Sequence, residues 1–315
     1  MVGGRIAVTI VAVMTAIALI SCETSQQAAQ PRTQSSVPSQ STSSSSPPPS
    51  PINPPQASRP QPTQPVEPPS VEKVEEPPPA SIAKELSGDP EKLKSIGENY
   101  LAAGNPAMAL RYLKAAEARR PKDVQLLYEI AMAYNARGFR QEAKEYLQKA
   151  LAIQPDYAEA SNALGAFLAE EGRFEEARRA FEKALSNPYY ETPQLAAYNL
   201  GTLFYRMGNY QEAAKYYRQA IGFDPNYASA HLELARTLEA LGDNEGAFNE
   251  YREALQYNPQ LVQANFGYGR LLFQKGDYVA AKYYLEQVIK LAPDSSTAKA
   301  ARDYLDKMGY LERKR

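Results

Sequence analysis

From Pro90 onward, large apolar residues recur three and four positions apart, and small residues interrupt them at fixed places. The clearest stretch runs Leu200-Gly201, Phe204, Gly208, Tyr210, Ala213, Tyr217, Ala220, Pro225. That spacing predicts two amphipathic helices joined by a turn. Gly201 and Ala220 let the first helix, A, approach the second, B; Gly208 opens the turn between them; Asp224-Pro225 ends B. The same skeleton returns as Ile130-Ala131, Tyr134, Gly138, Ala143, Leu147, Ala150. It returns again as Leu164-Gly165, Leu168, Gly172, Phe174, Ala177, Phe181, Ala184, and as Tyr268-Gly269, Leu272, Gly276, Tyr278, Ala281, Leu285. Two weaker copies complete the series: Leu93, Ile96-Gly97, Tyr100, Gly104, Ala109, Leu113, Ala116, and Leu234-Ala235, Leu238, Gly242, Ala247, Tyr251, Ala254. Asn105-Pro106 suits the first position of a B helix in the former, whereas Asn244 stands where an aromatic is usual in the latter.

The closing prolines, Pro121, Pro155, Pro188, Pro225, Pro259 and Pro293, mark the period. It resembles the 34-residue period of tetratricopeptide (TPR) repeats, with one longer interval after Pro188. The expectation is an all-α TPR solenoid of about six repeats over residues 81–293. After Pro293, Ala298, Ala301, Leu305 and Met308 share one helical face, and Lys299, Arg302, Asp306 and Lys307 the other. Residues 294–315 therefore read as the polar-backed capping helix and tail that an open solenoid needs for solubility.

The start of the chain has another character. Arg5 precedes an apolar run from Ile6 to Ile20, which at about fifteen residues is short of the roughly 20 that cross a bilayer. Residues 1–21 thus read as an export signal, the rival being an uncleaved membrane helix. Leu19-Ile20-Ser21-Cys22 resembles the bacterial lipobox, in which the cysteine is acylated and becomes the mature N-terminus. Acyl chains on Cys22, at about 0.8 kcal/mol per buried methylene, would hold the protein on a membrane. Glu23 follows, and the absence of Asp there resembles the outer-membrane sorting signal of two-membrane bacteria. Residues 22–80 are rich in Ser, Gln and Pro, with too little apolar surface to repay chain ordering. They read as a disordered tether with polyproline II character, averaging roughly 40–45 Å end to end as a coil.

Charge and composition remove several classes of function. Lys plus Arg is 35 against 36 for Asp plus Glu, so no global field favours nucleic acid. One cysteine and one histidine cannot build a Cys/His metal cluster or a Cys-His dyad. His231 falls on the core-facing side of a helix, and Glu170-Glu171 and Glu175-Glu176 on solvent faces, so no acid/base constellation forms. The glycines follow the repeat and make no phosphate loop. No catalytic residue, cofactor or metal is expected; the chain does not read as an enzyme.

The third and fourth repeats carry a finer signal. Asn162-Ala163-Leu164-Gly165-Ala166-Phe167-Leu168, Gly172-Arg173-Phe174 and Ala184-Leu185-Ser186-Asn187-Pro188-Tyr189-Tyr190-Glu191-Thr192-Pro193, followed by Asn199-Leu200-Gly201, resemble the type IV pilus biogenesis and stability lipoproteins. Those are outer-membrane TPR pilotins that help the pilus secretin assemble. The resemblance spans about Pro90 to Met308, with Tyr-x-Thr-Pro in the linker its most specific element. It departs at Ala163, Leu164, Ala169 and Leu203, where relatives often carry Asn, an aromatic or a cysteine pair. What it implies is a lipid-anchored periplasmic adaptor that binds a secretin or another pilus component at the outer membrane. A TPR lipoprotein scaffold for peptidoglycan hydrolases or proteases is the alternative.

In such a solenoid the A helices line a concave groove. The residues set to face it are Tyr128, Met132 and Asn135; Asn162; Tyr198, Asn199, Thr202 and Tyr205; Leu232 and Arg236; and Phe266, Arg270 and Phe273. Aromatics and arginine are the usual anchors of protein interfaces. Against this stands packing between repeats, since tyrosine and phenylalanine are frequent, at 22 and 9. A carboxylate clamp of the chaperone-binding kind is disfavoured by Glu98, Ala166 and Ser229. Tyr216-Tyr217 and Tyr283-Tyr284 offer a second, convex surface.

Overall fold

The structure, a computed structural model, describes residues 87–313. Cys22, the export signal expected over 1–21 and the tether expected over 22–80 lie outside the described residues. Among those described there are thirteen helices and no strand. The first repeat pairs α1 (Pro90–Ala102) with α2 (Pro106–Glu117), the second α3 (Val124–Ala136) with α4 (Arg140–Ile153), and the third α5 (Ala158–Glu170) with α6 (Phe174–Leu185). The fourth pairs α7 (Pro193–Arg206) with α8 (Tyr210–Phe223), the fifth α9 (Ala228–Ala240) with α10 (Asn244–Tyr257), and the sixth α11 (Val262–Gln274) with α12 (Tyr278–Leu291). α13 (Ser296–Arg313) closes the series.

Two local devices set this repeat. The turn between each A and B helix holds a glycine at φ between +72° and +82°, at Gly104, Gly138, Gly172, Gly208, Gly242 and Gly276. A side chain is strained in that left-handed region, so the turn selects glycine. The second device is the close approach of A to B. A Cβ on Gly97, Gly165 or Gly201 would stand 2.6–2.7 Å from Leu113, Phe181 or Tyr217, and only a bare α-carbon admits those side chains. Asn105, Asp123, Asp243 and Asp277 cap their helices by accepting a backbone N–H at 2.8–3.2 Å.

Packing is nearest-neighbour. Each A helix lies against its own B helix, and each B helix against the next A helix. Successive A helices also touch at several junctions, so they form the inner layer. The core is an alternation of small and large residues. Ala109, Ala143, Ala177, Ala213, Ala247 and Ala281 are fully buried, as are Leu113, Leu147 and Leu285, with Phe181, Tyr217 and Tyr251 nearly so. In α13, Ala298, Ala301 and Met308 are buried against the last repeat, while Lys299, Arg302, Asp306 and Lys307 are exposed.

The long interval lies between Gly172 and Gly208, 36 residues apart where neighbouring turn glycines are 34 apart. The extra residues fall in the linker from Ser186 to Thr192. There Asn187 donates from its side chain to the Asp156 carbonyl at 2.7 Å and accepts from the Tyr189 N–H at 2.9 Å. This pins the linker so that Tyr189 is exposed and Tyr190 turns inward, only 7% accessible.

Candidate partner-binding groove

Along the inner layer the side chains expected to face a partner separate into a packed floor and an accessible rim. Met132, Tyr198 and Leu232 are floor, buried among their neighbours. Tyr198 packs on Tyr217 and Tyr227, with ring centroids 5.6 and 5.2 Å away. Tyr128, Asn135, Asn162, Asn199, Thr202, Tyr205, Arg236, Phe266, Arg270 and Phe273 are half-buried. Asn199 donates to Asn162 at 2.9 Å, which ties the fourth A helix to the third. Tyr217 donates to Thr202 at 3.1 Å.

The two arginines, read from sequence as charge offered to a partner, are each held within the chain. Arg236 donates to both Glu233 oxygens at 3.0 Å and lies over the Tyr205 ring, 5.7 Å from its centroid. Arg270 pairs with Glu239, which also accepts from the Tyr251 hydroxyl at 2.8 Å. Burial pushes the Glu233 carboxyl up and Arg236 pulls it back. Over the fifth and sixth repeats the charge of the accessible rim is thus paired within the chain, beside the rings of Phe266 and Phe273.

Phe266 and Phe273 carry a second duty. Both rings meet Tyr304 of α13, at 6.1 and 5.3 Å, and Phe273 also meets Tyr278 at 5.4 Å. They fasten the capping helix as well as face inward. Tyr304 belongs to a helix that the sequence identified only as a cap.

At the other end, Lys94, Glu98, Gln125 and Glu129 meet between α1 and α3. Lys94 lies 3.9 Å from Glu98, and Gln125 donates to Glu129 at 3.0 Å. Glu129 is 3% accessible, and burial first, then the neighbouring Glu98 carboxyl, pushes it up to about 9.

Sequence reasoning missed a set of tyrosines that the linker and the helix starts bring together. Tyr157 and Tyr227 immediately precede α5 and α9 and reach back to the preceding A-helix tyrosines. Tyr157 meets Tyr128 edge-on at 5.9 Å, and Tyr227 meets Tyr198 at a tilt at 5.2 Å. Tyr190 fills the matching place in the long repeat, where its hydroxyl bonds with Asn162 and Thr192. A tyrosine recurring directly before an A helix was the available signal.

His231 is 7% accessible, and its two ring nitrogens face the Glu250 carboxylate at 2.7 Å and the Pro225 carbonyl at 3.0 Å. With Glu250 ionised both partners accept, so the imidazolium, which donates from both nitrogens, is the form that satisfies both contacts. Burial pulls its pKa down, but the bonds to Glu250 and Pro225 outweigh this and raise it. The residue is structural.

Three family models described as tetratricopeptide repeat match the chain, over residues 95–139 and 198–256, 238–303, and 123–187. Among solved structures, PilF of Pseudomonas aeruginosa superposes with a TM-score of 0.64 at 24% identity, covering 70% of this chain and 98% of that one. PilW, described as a widely conserved type IV pilus biogenesis factor, superposes at 0.60 with 25% identity, covering 67% and 97%. Cut9–Hcn1 of the APC/C superposes at 0.59 with 15% identity, covering 72% of this chain and 45% of that one; this likeness is of fold.

Proposed function

We propose, on the premise that the chain belongs to the tetratricopeptide repeat proteins, that it is a lipid-anchored adaptor of type IV pilus biogenesis. It binds a pilus secretin or a related component through the A-helix groove and promotes its assembly in the outer membrane. The observation that carries this reading is the end-to-end likeness to PilW, 97% of whose chain is covered. The lengthened linker after Pro188, which resembles that of the pilotin lipoproteins, supports it.

The parts divide the work. Acyl chains on Cys22 keep the protein at the periplasmic face of the outer membrane and confine its search to two dimensions. Residues 22–80 set its reach. The solenoid supplies a pre-organised surface, since the nearest-neighbour packing that holds the groove is complete before a partner arrives. Removing the gene from the source cell tests the reading. Heat-resistant secretin multimers should fall in the outer-membrane fraction and return with the wild-type gene; unchanged multimers would refute it.

A further inference from the structure

Eight large apolar side chains stand exposed among the described residues, and five of them, Ile153, Tyr189, Phe223, Tyr257 and Leu291, fall at one place in the repeat. Each lies where a B helix ends and the chain passes on, one for each of repeats two to six. Ile153, Phe223, Tyr257 and Leu291 stand two residues before the junction proline; Tyr189 directly follows Pro188 in the long linker. Because paired A and B helices run in opposite directions, the glycine turns collect at one edge of the stack and these junctions at the other. The five side chains therefore form a row along that edge, apart from the A-helix groove. Four are 36–47% exposed and Tyr189 is 89% exposed. The junction prolines beside them are exposed too. Apolar side chains scattered singly need no explanation, but a row repeated through five units marks a docking surface.

Charge says which partner fits. The five junctions, residues 153–157, 186–192, 223–227, 257–261 and 291–295, carry Asp156, Glu191, Asp224 and Asp294 and no lysine or arginine. The first junction is the reverse: Arg119, Arg120 and Lys122 surround Pro121, and no large apolar side chain is exposed there. An edge of rings, prolines and carboxylates disfavours an anionic lipid surface and attracts a basic polypeptide. Spacing says in what form. Successive A helices touch at several junctions, so equivalent positions in adjacent repeats recur at roughly 10 Å. Seven residues of an α-helix rise roughly 10.5 Å, which brings one apolar side chain to each repeat from a single face. A β-strand covers that distance in about three residues, and the third points to the opposite face.

We propose that this edge is a second docking surface, for an amphipathic helix of a partner protein whose apolar heptad positions are flanked by lysine or arginine. It adds a surface to the adaptor reading and does not depend on the groove. Tyr189 is its foremost anchor, because the bonds of Asn187 to Asp156 and to the Tyr189 N–H fix the backbone that presents the ring. The long linker thereby gains a purpose.

The test is fluorescence anisotropy of a labelled three-heptad model helix, leucine at the two apolar heptad positions and lysine elsewhere, titrated with the purified full chain. The same helix with glutamate in place of lysine is the charge control. The lysine helix should bind with a dissociation constant on the order of 10 μM and the glutamate helix about tenfold more weakly. Tyr189→Ser with Phe223→Ser, the two most exposed members of the row, should weaken the lysine helix about tenfold with helical content kept. Val279→Ser with Tyr283→Ser removes exposed apolar side chains of α12 outside the row and should leave binding unchanged. Should the first pair unfold the chain, Ile153→Ser reads the row from the second repeat and should weaken binding about threefold. No binding, equal binding of the two helices, or equal losses in the two double variants would overturn the proposal. So would unchanged lysine-helix binding in Tyr189→Ser with Phe223→Ser alongside lost self-association in sedimentation or lost partition onto anionic vesicles, which would assign the edge to a second copy or to a bilayer. Because no pilus component takes part, failure here leaves the adaptor reading standing, and failure of the secretin assay leaves this result standing.

Discussion

Replacing Gly201 with alanine probes the contact on which the helix pair is built. The added Cβ would lie 2.7 Å from Cδ1 and Cε1 of Tyr217 and 3.0 Å from Cγ, well inside contact distance. The ring has nowhere to go. It is 1% accessible, packs on Tyr198 and donates its hydroxyl to Thr202 at 3.1 Å. Overpacking of this kind destabilises by about 1–3 kcal/mol, and losing the hydroxyl bond adds about 1 kcal/mol. The better helix propensity of alanine returns about 1 kcal/mol. The net expectation is a loss of about 1–3 kcal/mol, a fall in Tm of roughly 2–12 °C for a domain of this size. Gly222→Ala, in α8 with nothing within 4 Å of the new Cβ, gains propensity without a clash and should hold or raise Tm. Thermal unfolding followed by circular dichroism reads both. If Gly201→Ala were as stable as Gly222→Ala, the steric account of the repeat would be wrong.

Other expectations follow from single groups. Glu129 titrates near 9 in the folded chain against an ordinary value of 4.5, so the stability it confers is full below about pH 4.5 and is lost as pH rises toward 9. Tm should therefore fall more steeply over that window in the wild type than in Glu129→Gln, and parallel curves would refute the assignment. His231, the only histidine, should titrate above 6.5 by NMR, and Glu250→Gln should lower its midpoint; a wild-type midpoint at or below 6.5 contradicts the imidazolium. Phe273→Ala should destabilise the domain by about 2 kcal/mol by loosening α13. Tyr205→Ala is then the cleaner probe of partner binding and should weaken it by about 1–2 kcal/mol with helical content kept. Cys22→Ala should move the protein out of the membrane fraction, and retention at wild-type level would refute the lipobox assignment.

The fold was legible because its determinants are local and repeated. Six turn glycines and the small residues at the A–B contact are periodic in sequence, so pattern alone places the helices, the lengthened linker and the cap. The positions expected to face inward are periodic too, and Tyr128, Asn162, Asn199 and Tyr205 are half-buried on their A helices. What periodicity does not carry is which of those side chains another part of the chain has already engaged. Arg236 and Arg270 read as free charge because Glu233 and Glu239 differ from them only in register. Phe266 and Phe273 read as open rings because Tyr304 belongs to a helix identified from its apolar face, not from an aromatic tip. Tyr157 and Tyr190 escaped because they sit before the starts of A helices, outside the spacing that marks a groove. Tyr190 is inward only because Asn187 ties the linker to Asp156.

What the chain holds in the envelope is the most direct test. Full-length protein with Cys22 intact, crosslinked in cells and purified from detergent-solubilised membranes, should recover the pilus secretin, and Tyr205→Ala should recover less of it at equal abundance. Recovery of peptidoglycan hydrolases or proteases with no pilus component would contradict the account.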